Sequence, residues 1–182
     1  MALRKCLKDA VVYNERSLST LARAITLSEG DFSLLLAHCN SAITGQEIVK
    51  RLREISQVKL RELSLPPSAK TLYTTVVAEL GKEQPSALII FGLDSMIHLE
   101  PLLIATNTAR NKFRETFHFP LILWVTDDVL RKMIRIAPDF YSWSTSIHFE
   151  PKTGDWPNLE QNSNSNQIVK EISSQSPIPF NI

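Results

Sequence analysis

Apolar residues fall into two alternating patterns along this chain. Short, nearly unbroken apolar runs recur at 32–39, 87–91 and 121–125, as expected of strands buried on both faces. Between them stand stretches with apolar residues at helical spacing. Residues 14–27 align Leu18, Leu21, Ala22 and Ile25, with Asn14 or Ser17 as a cap. Residues 46–55 align Ile48, Leu52 and Ile55, and residues 69–80 align Leu72, Val76 and Leu80 before a stop at Gly81. A long helix is predicted over 99–117, with Pro101 tolerated near its start. Another spans 127–135, capped by Thr126 or Asp127 and ended by Pro138. Residues 58–65 alternate and meet Pro66-Pro67, as an edge-like strand would, and 146–149 reads as a last short strand. Residues 40–45 read as a loop.

This alternation predicts the α/β class: an open, mostly parallel sheet of about five strands with helices on both faces. Such sheets bind ligands outside the carboxyl ends of their strands. Here those ends carry residues 40–44, Asp94 with Ser95, and Thr126 with Asp127.

The run Leu88-Ile89-Ile90-Phe91-Gly92-Leu93-Asp94 ends in a lone carboxylate, and 120–127 follows one helix later. An ATPase core presents a magnesium-binding acid and a polar sensor in this way. Its phosphate loop would read G-x-x-x-x-G-K-[ST] between the first strand and helix. The chain instead reads Cys39-Asn40-Ser41-Ala42-Ile43-Thr44-Gly45-Gln46-Glu47, with one glycine and no lysine. Backbone amides then cannot easily wrap phosphates. A nucleotide site, if kept, would use Asn40, Thr44, Gly45, Asp94 and Thr126, with Asp94 holding Mg²⁺ through water. The plainer alternative makes 40–45 a connection and Asp94 a helix cap. Ser95 stands where a water-orienting acid would be expected, so an enzyme is not indicated and no cofactor is expected, with ATP and Mg²⁺ kept as the alternative.

Composition narrows the classes further. The length of 182 residues fits one α/β domain over 1–153 and a flexible polar tail over 154–182, where 167–172 could form a helical turn. A net charge of +1 does not point to nucleic acid or membrane. Arg110, Lys112, Arg114, Arg131, Lys132 and Arg135 form a basic stripe, diluted by Glu115, Asp127 and Asp128. Cys6 and Cys39 make no metal pattern, and with no signal peptide they read as reduced thiols of a cytoplasmic protein. His38, His98, His118 and His148 show no ligand spacing. The aromatic loop with Phe140, Tyr141 and Trp143 reads either as a plug of the core or as a partner-docking surface.

Several of these segments occur together in a known family. They are Ala37-His38-Cys39-Asn40, residues 71–75, Phe91-Gly92-Leu93-Asp94, Asn107 with Arg110, Phe113-Arg114, residues 117–125, and Ala137-Pro138-Asp139-Phe140-Tyr141-Ser142-Trp143. Over residues 15–150 the chain resembles the ATPase-like N-terminal domain of bacterial, chiefly cyanobacterial, proteins that continue into tetratricopeptide repeats. The 119–124 run and the Ala-Pro-Asp-Phe-x-Ser-Trp motif are its more specific parts. The resemblance implies a P-loop NTPase-like fold related to STAND signalling ATPases, commonly with a degenerate phosphate loop. It therefore implies a non-catalytic signalling or scaffolding module working through protein partners, some of them repeat-containing. The sequence departs from that pattern in ending at Ile182 without repeats, and the expectation is that any switch would need a partner in trans. A weak nucleotide-binding switch and a nucleic-acid-associated factor remain the alternatives.

Overall fold

The computed structural model describes residues 2–56 and 59–150. Strands β1 (Ser33–His38), β2 (Leu60–Ser64), β3 (Ala87–Phe91), β4 (Pro120–Val125) and β5 (Ser144–His148) form one sheet in the order β2-β3-β4-β1-β5. Every neighbouring pair is parallel. The architecture is an open, all-parallel α/β sheet of five strands with helices on both faces.

The pleat explains why the central runs are apolar throughout. Leu34, Leu36, Leu88, Ile90, Leu121, Leu123 and Val125 face one side. There they meet α3 (Leu72–Leu80), α4 (Leu99–Thr108), α5 (Arg110–Thr116), α6 (Asp127–Ile136) and α7 (Pro138–Tyr141). Leu35, Ala37, Ile89, Ile122 and Trp124 face the other side. There they meet Leu18, Leu21 and Ile25 of α1 (Ala2–Leu27) and Ile48, Val49 and Leu52 of α2 (Ala42–Ile55). The outer strands β2 and β5 bury only some of their positions, and charged Arg61 and Glu62 lie on β2. Charge on an edge strand discourages pairing with other chains.

Several boundaries differ from the sequence expectation for identifiable reasons. Asn14 and Ser17 do not cap a helix, because α1 starts at Ala2. Asn14 instead exchanges two hydrogen bonds with the backbone of Glu150. Residues 42–45 are helical because Ser41 caps α2, accepting from Thr44 N. The long helix divides into α4 and α5 at Ala109, where φ −89 and ψ 5 leave the helical region. Pro138 does not merely stop α6; it opens α7. Asp94 is no helix cap. It lies in a 3₁₀ turn at Leu93–Ser95, and α4 begins after His98 with no side-chain cap. That turn follows Gly92 at φ 92, where a Cβ would stand 3.0 Å from Leu65 O. Of the expected strand at 58–65, Val58 is outside the described residues, as are the polar stretch 154–182 and its helical turn.

Candidate functional site

The strand order creates one topological switch point. α2 leaves β1 on one face of the sheet and α6 leaves the adjacent β4 on the other. Open α/β sheets hold their ligands in the crevice that such a divergence opens at the strands' carboxyl ends.

In this chain the crevice is spanned by side chains. Cys39, Asn40 and Ser41 alone separate β1 from α2. Asn40 Nδ2 donates to Asp127 Oδ2 at 2.6 Å, and the Asp127 amide donates to Asn40 Oδ1 at 2.8 Å. The two residues thus clamp the start of α6 to the end of β1. His38, the last residue of β1, binds Asp127 Oδ1 through Nε2 at 2.5 Å. Thr126 caps α6 and accepts from Val129 N.

The first turn of α2 is equally committed. Thr44 N donates to the Ser41 hydroxyl at 3.1 Å and Gly45 N to the Ser41 carbonyl at 3.2 Å. The Thr44 side chain is buried. Gly45 serves packing: a Cβ there would lie 2.9 Å from Trp124 Cε2 and 3.3 Å from Phe91 Cε1. The indole therefore presses against the helix at the level where a phosphate loop would arch away from the sheet.

The chemistry of this cluster extends to β5. Asp127 is held below its ordinary carboxylate range, first by the bond from Asn40 and then by that from His38. An ionised Asp127 assigns a proton to His38 Nε2. His38 Nδ1 lies 3.0 Å from His148 Nδ1, and His148 Nε2 lies 3.3 Å from Glu150 Oε1.

Sequence spacing could not find this pair. His38 and His148 are 110 residues apart, and parallel pairing of β1 with β5 places them opposite each other. The available signal was positional and one-sided: His38 closes the apolar run of β1, whereas the strand before His148 reads Ser-Thr-Ser-Ile and is mostly polar.

The remaining predicted residues do not join the cluster. Asp94 is exposed beyond the end of β3, separated from β1 by β4. Among the described residues no group of three or more His, Cys, Asp or Glu could hold a metal ion. Phe140 is 0% exposed and belongs to the core, which removes it from the docking surface expected of it. Tyr141 is half-buried against the same core. Trp143 is exposed and lies at the amino end of the sheet. With Phe32, Ser33, Leu34 and Arg114 it lines a hollow of about 280 Å³. The basic stripe is largely paired: Arg110 with Asp139, Arg131 and Lys132 with Asp128, and Arg135 with Glu100.

No protein-family model matches the chain, and no curated protein matches it. Among the described residues no helix is long and apolar enough to cross a membrane.

Replacing Asp127 by alanine removes the acceptor shared by His38 and Asn40. The expected loss is about 1–2 kcal/mol, the lower part of the range for charged hydrogen bonds, because the carboxylate is half exposed. Because the folded-state pKa is depressed, this stabilisation is present above the ordinary value of 3.8 and fades as pH falls below it. Urea denaturation of wild type and variant at neutral pH and near pH 3 checks this. The gap between them narrows in acid.

Proposed function

We propose that this chain is a P-loop-like module without catalytic activity that works by binding another protein. One observation carries the reading: the switch-point crevice is bridged by Asn40 and Asp127. Three further features support it. Only Cys39, Asn40 and Ser41 join β1 to α2, Gly45 is packed on Trp124, and Asp94 stands apart from the clamp. A scaffold that keeps its fold while filling its ligand crevice is suited to presenting surfaces. Trp143, 36% exposed beside Phe32 and Arg114, is the docking position we favour, since tryptophan and arginine are enriched where partners bind most strongly. The partner would be a protein, with repeat proteins the first class to try. The pairing of the basic stripe favours a protein over nucleic acid.

Thermal melting with Mg·ATP tests the reading. At about 100 times its dissociation constant a ligand adds about 2.7 kcal/mol and raises the melting temperature by several degrees. About 1 mM Mg·ATP is expected to produce no shift beyond that of Mg²⁺ with an inert polyphosphate. A nucleotide-specific rise of several degrees would favour a weak nucleotide switch instead.

A further inference from the structure

The geometry points to a divalent transition-metal site formed by Nδ1 of His38 and Nδ1 of His148, independent of the proposed protein-binding role. The two nitrogens face each other at 3.0 Å across β1 and β5. Each ring turns its other nitrogen to a carboxylate: His38 to Asp127 at 2.5 Å and His148 to Glu150 at 3.3 Å. Metal-ligating histidines are backed in this way, since a carboxylate on the far N–H fixes the tautomer and raises the basicity of the ligating nitrogen.

A proton shared between the two nitrogens is the alternative, and the ring geometry fits it less well. The ring centroids are 4.7 Å apart with planes at 60°. Two rings in line through a 3.0 Å contact would hold their centroids further apart, so the lone pairs point off the line joining the nitrogens. Bending weakens an N–H···N bond, which prefers to be straight. It costs an ion nothing where the lone pairs converge on it. Two nitrogens about 2.0 Å from one ion stand about 2.9 Å apart at a right angle and about 3.3 Å apart at the tetrahedral angle. The observed spacing favours a right angle, hence Cu²⁺ or Ni²⁺ ahead of Zn²⁺. Water fills the remaining positions, reached from the His148 side, which is 40% exposed against 13% for His38.

The test is a titration of the tag-free 182-residue chain with Ni²⁺ against a chromogenic chelator at neutral pH. One equivalent is expected to bind, with Zn²⁺ weaker, and affinity is expected to fall with pH as protons compete for the nitrogens. His148→Gln is expected to weaken binding at least tenfold while the exposed control His118→Gln leaves it unchanged. Glu150→Gln, which touches only the far nitrogen, is expected to weaken it about tenfold. Circular dichroism of each variant establishes that it is folded. If no equivalent binds, or if folded His148→Gln binds as wild type does, the pair merely shares a proton and the metal site is wrong.

Discussion

Truncating Phe140 to alanine is expected to destabilise the protein by about 3–5 kcal/mol, a large share of the roughly 5–15 kcal/mol that holds a domain together. The ring is fully buried. Its centroid lies 5.1 Å from that of Phe113, which in turn contacts Tyr73 and Phe117. Its backbone amide is held by Asn107 Oδ1 at 3.0 Å, so the loop cannot slide to refill the cavity. A domain of this size loses about 2–4 °C per kcal/mol, which makes the expected fall in melting temperature roughly 10 °C. Trp143→Ala, by contrast, removes a partly exposed ring and is expected to cost less than about 1 kcal/mol. Thermal or urea unfolding of the two variants measures the contrast. Equal, small effects would show that the aromatic loop is a surface feature throughout and not a plug.

Gly45→Val is expected to cost about 2–3 kcal/mol by overpacking. The added Cβ meets the indole of Trp124 at 2.9 and 3.1 Å. That indole is 7% exposed and lies between Phe91, with centroids 5.7 Å apart, and Phe149, at 5.8 Å. It has no free direction in which to yield. Gly45→Ala sets the same clash against a gain of up to about 1 kcal/mol in helix propensity, so its loss is smaller. Were Gly45 kept for phosphate binding, both substitutions would leave stability nearly untouched. Denaturant unfolding of the pair decides between packing and ligand duty.

Legibility in the sequence followed burial. The runs that became β1, β3 and β4 are packed on both faces, so nearly every residue in them had to be apolar, and their ends came within a residue or two. The start of α2 falls inside the stretch 40–45 that the sequence presents as a loop, with Gly45 at its end. That glycine's lack of a side chain answers to Trp124, 79 positions away, which no local pattern encodes. The break at Ala109 was invisible for a similar reason, since apolar spacing continues across it. Asn40 and Asp127 were both placed at strand ends, but their contact needs β1 beside β4, a fact of strand order alone. Asp94 looked important because it closes the most apolar run. The turn at Gly92 instead carries it into an exposed 3₁₀ segment. The histidine pair depended on two strands at opposite ends of the chain.

Calorimetric titration of Mg·ATP and Mg·ADP into the 182-residue protein tests most directly whether the crevice is closed. Closure by Asn40 and Asp127 predicts no saturable heat up to millimolar nucleotide, for wild type and Asp94→Ala alike. One-to-one binding in the micromolar range, weakened by Asp94→Ala, would contradict it.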